Sequence, residues 1–221
     1  MKSLIAKILL SLVIMAFCAG FLLSFKVSGK VATDKEGSSF FSFLVKALNV
    51  QDLAVGFLWM QFDNDTVYML ANHHRLLINL DSITAIKHDE FAAWSLKNFM
   101  RIEQALRKND EQMKARALRD YRLACELNPD NWEFFHDAAQ IIYKRLKDLD
   151  LAQEYAEKAC KFAEHKVKAK RLLALIYFDQ KKYNLSRQAY CDVVESQDAS
   201  PSELNVARIM IAEIDRILDQ K

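Results

Sequence analysis

Few residues in this chain stand at spacings that catalysis or metal binding requires. His73-His74, with Asp63 and Asp65 upstream, form a cluster rich in metal-ligand types. Two histidines that share a metal on a helix need a common face, as at i and i+4 in HExxH; adjacent positions point to different faces. The pair therefore reads as a solvated or helix-end pair, with a hydrolase or metal enzyme using His73/His74 as the alternative. Cys125, Cys160 and Cys191 include no CxxC pair, so no disulfide framework or zinc site is signalled. Each falls in an amphipathic helical pattern, where a buried structural thiol is expected. There is no Gly-Lys-Ser/Thr phosphate loop and no GxSxG elbow. The expectation is a protein that is not an enzyme, with no catalytic residue, no cofactor and no metal.

One charged cluster is of a different kind. Lys161, Lys166, Lys168, Lys170, Arg171, Lys181, Lys182 and Arg187 face only Glu164 and Asp179 within the same stretch, whereas the last helical region is acidic (Asp192, Glu195, Asp198, Glu203, Glu213, Asp215, Asp219). Two readings stand: a solvated face balanced by the acidic end, or a basic patch for an acidic peptide, a C-terminal carboxylate or anionic headgroups. The chain as a whole is near-neutral, at +2, so it has no overall basic field and nucleic acid is not an expected partner.

The elements that must position these residues are helices. The chain of 221 residues holds 4 Gly and 2 Pro, far too few for the turns of a sandwich or a doubly wound sheet. An all-α fold is expected. The first element differs from the rest: Lys2 and Lys7 precede an uncharged apolar run, Ile8 to Phe25, closed by Lys26. With Leu4 to Ala6 it is long enough to cross a hydrocarbon core of about 30 Å. Residues 1–26 are expected to be a transmembrane signal anchor. A cleavable signal peptide is the alternative, since Val27-Ser28-Gly29 offers small residues, while Phe17 before Cys18 makes a poor lipobox. Residues 27–39 are a polar tether. Such a segment normally exports the rest of its chain, so the expected location is a periplasmic or other extracytoplasmic space, with a cytosol-facing domain as the runner-up.

The remainder repeats. Ala117, Tyr121, Ala124; Ala152, Ala156, Ala159; and Ser186, Tyr190, Val193 recur at steps of 35 and 34 residues. Small residues on one helical face allow two antiparallel helices to approach closely. Pro129 separates successive helices, and Trp132 to Tyr143 then presents Ala138-Ala139 and Ile142, an arrangement repeated by Leu173-Ala174 and Tyr177. On these residues, 111–196 resemble tetratricopeptide repeats. Two departures are visible: one extra residue in Lys144–Asp150, and Ser186 where Ala is usual. Upstream, 40–110 continue the pattern in degenerate form, with Leu76, Leu80 and Ile83 at the triplet spacing, a helix over Gln51–Phe62 ended by Asp63-Asn64-Asp65, and a long first helix from Phe91 to Lys108. Leu58 to Asp63 resembles the start of the soluble part of N-terminally anchored bacterial repeat proteins. Ser200-Pro201-Ser202-Glu203 starts a terminal capping helix within 197–221. The expected fold is a tetratricopeptide-like α-solenoid of about four helix pairs plus a cap, after one membrane helix.

The resemblance also implies a ligand surface. In such repeats the first helix of each pair lines a concave groove, which places Glu133, His136, Gln140 and Tyr143 in one unit and Lys168, Arg171, Leu175 and Phe178 in the next. An extended peptide with an acidic group and an apolar side chain suits this chemistry, and His136 is expected to add a proton-sensitive donor. The implied function is a membrane-tethered scaffold that holds a protein partner, in envelope assembly or secretion.

Overall fold

With so few glycines and prolines, several helix starts are set by side-chain caps. The computed structural model describes residues 51–66, 69–162 and 167–220, all within the unit spanning 42–221. The expected anchor and tether (1–39) and the start of the 40–110 region lie outside the described residues. Among those residues there are nine helices: α1 (Gln51–Thr66), α2 (Met69–Ile86), α3 (Phe91–Lys108), α4 (Glu111–Leu127), α5 (Trp132–Ile141, continued by a π turn, Ile142–Leu146), α6 (Leu149–Phe162), α7 (Val167–Asp179), α8 (Tyr183–Val194) and α9 (Pro201–Asp219). None is long and apolar enough to cross a membrane. Each packs on the next in order, α3 also touches α5, and α5 touches α7, so the first helices of successive pairs stack side by side. Four pairs and a cap result, as the spacing predicts.

The caps follow the side-chain chemistry. The Asp110 carboxylate accepts the Met113 amide at 2.9 Å, Asn131 accepts Glu133 at 3.0 Å, and Asp148 accepts Leu151 at 3.0 Å. Ser200 and Glu203 form a complete capping box with Pro201 in the first turn of α9. One boundary differs from expectation: α1 runs through Asp63-Asn64-Asp65 to Thr66 instead of ending there.

All four second helices use the same face. Leu76, Leu80 and Ile83; Ala117, Tyr121 and Ala124; Ala152, Ala156 and Ala159; Ser186, Tyr190 and Val193 are each no more than 2% exposed. Both departures in the repeat have local explanations. The extra residue after α5 is absorbed by the π turn, ended by Lys147 in the left-handed region (φ 59°). The Ser186 hydroxyl donates to the Ala174 carbonyl at 2.8 Å, so the buried polar atom is satisfied within the α7–α8 pair. Equivalent turns are tied together as well: the His88 carbonyl accepts from Trp94 Nε1 at 2.9 Å and from Asn128 Nδ2 at 2.8 Å.

Candidate ligand groove on the first helices

The stacked first helices bury one side and leave another open. In α5, Phe134, Phe135, Ala138, Ala139 and Ile141 are buried. Glu133 is exposed, while His136, Gln140 and Tyr143 are half-buried. In α7, Val167, Ala169, Leu172, Ala174 and Ile176 are buried, Lys168 is exposed, and Arg171, Leu175 and Phe178 are half-buried. The eight residues expected to line a groove thus form two neighbouring rows.

Contacts across the rows show which groups are engaged. His136 packs edge-on to Trp132, with ring centroids 5.5 Å apart, and hydrogen-bonds the backbone of Lys168. Burial, helped by the nearby Lys168 and Arg171 charges, lowers its pKa. The ring is therefore a poorer proton acceptor than an unperturbed histidine, although its contact with the Lys168 backbone works the other way. The Tyr143 hydroxyl donates to Asp179 Oδ2 at 2.6 Å. Phe178 lies edge-on to Tyr183 at 5.7 Å, so much of that aromatic surface belongs to the core under α8.

Two members of the basic cluster, both arginines, are answered by the acidic end. Arg187 reaches Asp215 at 2.6 Å, and Arg171 reaches Glu203 at 3.8 Å, both carboxylates being on α9. Lys182 donates to Gln153 Oε1 at 2.7 Å. The balanced-face reading is therefore correct for the two arginines. Arg171 is still 43% exposed and its contact is long, so it can meet another anion on the same face.

A third row was not expected. The Arg145 guanidinium forms an ion pair with Glu103 on α3 at 2.9 Å and sits 5.9 Å from the Phe99 ring centre, with exposed Leu106 one turn beyond. The signal was present as Phe99, Glu103 and Leu106 at i, i+4 and i+7.

The histidine pair lies elsewhere, on α2. Burial and the neighbouring Arg107, Lys108 and His74 lower the pKa of His73, and that cationic surrounding is unfavourable for a metal ion. Among the described residues no group of three or more His, Cys, Asp or Glu is placed to hold a metal. Burial raises the Cys125 thiol to about 12 and Cys160 to about 11, so both stay protonated at neutral pH.

Residues 141–166 match the tetratricopeptide repeat family model. Among solved structures, the chain is similar to TTC0263, a thermophilic TPR protein in Thermus thermophilus, at 15% identity and a TM-score of 0.51, over 82% of this chain and 98% of that one. It is also similar to the MamA protein, at 9% identity and a TM-score of 0.50, over 75% of this chain and 88% of that one. No curated protein matches it in sequence. At these identities the likeness concerns the fold, which is a tetratricopeptide-type α-solenoid.

Proposed function

We propose that this protein is a non-enzymatic, membrane-tethered scaffold that holds a protein partner along its first helices, in envelope assembly or secretion. The observation that carries the reading is the pair of half-open rows on α5 and α7. They set cationic Lys168 and Arg171 beside Leu175 and Phe178, with His136, Gln140 and Tyr143 alongside. Side chains held on stacked rigid helices need little ordering when a ligand binds, so an extended segment with an acidic group can be read at low entropic cost. Hydrogen bonds to charged groups are worth about 1.5–3 kcal/mol. The Glu203 carboxylate near Arg171 exemplifies the kind of group the site accepts.

Capture of partners from solubilised membranes tests this. The double variant K168A/R171A should recover the partner tens-fold less well, about the effect of losing one or two charged hydrogen bonds, with thermal stability nearly unchanged. Equal recovery of every partner would leave both residues as ordinary surface charge. An extracytoplasmic domain is part of this proposal; a reporter fused after Lys221 that is active only in the cytosol would make the chain a cytosol-facing receptor instead.

A further inference from the structure

Helix α1 is apolar on two opposite sides, and only one of them is covered. Val55, Leu58 and Phe62 are buried, and Trp59 packs edge-on to Phe62 at 5.4 Å, on the side that meets α2. Roughly opposite, Leu53 is 65% exposed, Phe57 39% and Met60 54%. Gly56 lies in the same stripe, and a side chain there would meet nothing within 4 Å. A helix that faces water carries polar residues opposite its buried stripe. Helix α6 does so, turning Asp150, Glu154, Glu157 and Lys158 outward. Helix α1 has no Lys or Arg, and its one charge before Asp63, Asp52, is engaged by Lys87 at 3.2 Å.

We propose that the Leu53–Phe57–Met60 stripe rests in the headgroup and upper acyl region of the bilayer that the N-terminal segment enters. The inference rests on the membrane-tethered reading above. Two observations select a lipid surface as the occupant. First, residues 26–50 separate the bilayer-length run Ile8–Phe25 from α1, and a stretch of that length spans at most about 80–90 Å. Helix α1 is therefore the first described helix out from the anchor, kept permanently near the membrane at high effective concentration. Second, the stripe is aliphatic and aromatic with no charge to desolvate, which suits insertion by a few ångströms among lipid headgroups. Free interfacial helices usually present a charged face to water; here the opposite face is already covered by α2. The solenoid is then held against the bilayer at two points, by its anchor and by the flank of its first helix.

The test uses the full chain reconstituted in phosphatidylcholine vesicles, with a photoreactive benzoylphenylalanine in place of Phe57 or, as a control, in place of Glu154 on α6. Vesicle flotation is read alongside. Lipid adducts from position 57, none from position 154, and loss of the adduct at 57 in an L53E/M60E background that still floats are the expected results. Flotation without a lipid adduct at 57 overturns the inference and leaves the tether standing. A peptide adduct at 57, to a second copy or to residues 40–50, does the same. A chain that fails to float overturns the tethering itself, and this inference with it.

Discussion

At the scale of single residues, the least expected feature is a buried charge cluster between α2, α3 and α4. Lys97 is 3% exposed, lies 3.5 Å from the Trp94 ring centre, donates to Thr84 Oγ1 at 3.0 Å and is 3.6 Å from Asp81. Arg101 Nη2 donates to both Asp81 oxygens, at 2.7 and 2.6 Å, and its Nη1 donates to Asp120. Burial lowers the pKa of Lys97 to about 8, with Asp120 and Asp81 offsetting part of the cost. The folded chain then holds fewer protons than the unfolded one, whose lysine titrates near 10.5. Stability attributable to Lys97 should therefore rise as pH climbs from about 8 toward 10.5. Lys97→Met keeps the stem over Trp94 and removes the titration, so denaturant midpoints should lose that rise. At pH 7 the variant should be as stable as the parent or more so, because Arg101 still satisfies Asp81. A loss of several kcal/mol at pH 7 would show instead that the cation itself holds the three helices together.

At the scale of elements, the turns carry the sequence's compromises. Asn109, Lys147 and Lys181 all sit at positive φ, 52°, 59° and 61°. Asn tolerates that region, whereas a lysine there pays for its Cβ against the following carbonyl, about 1–2 kcal/mol. Lys181→Gly removes that strain but adds freedom to the unfolded chain, so the expected gain is up to about 1 kcal/mol, read as a shift in the thermal midpoint. Lys147→Gly should behave alike, because Lys147 closes the π turn that takes up the extra residue of its repeat. A loss on either substitution would mean that the lysine side chain contributes more than its backbone costs.

At the scale of the molecule, each pair leans only on its neighbours, so stability is passed along the stack. Helix α9 covers the face of α8 that carries Tyr190 and Val193, and its own Ala207 and Ile214 are fully buried there. Stopping the chain after Ser196 should therefore speed amide exchange first in α7 and α8, with α3 and α4 changing least; uniform loosening would show a single cooperative core instead. The removal also frees Arg171 from Glu203 and Arg187 from Asp215.

Much of this arrangement was readable from residue types and periods. Gly and Pro scarcity argued against sheets, and the triplets at 34 and 35 residues located the buried face of α4, α6 and α8, because side-chain size at a helix crossing is a local property. The terminal cap was readable for the same reason, since its capping box lies within four residues. Other features depended on how distant helices meet. The pairing of Arg171 with Glu203, the lowered pKa of His136, the engagement of Tyr143 by Asp179 and the row on α3 all join residues that sequence spacing keeps apart. The bare side of α1 belongs with them: a stretch apolar all round can be buried on both sides or on one, and only the packing of α2 decided which face was left open. Periodicity names the face a helix will bury; charge pairing, burial and exposure are set by what that face meets.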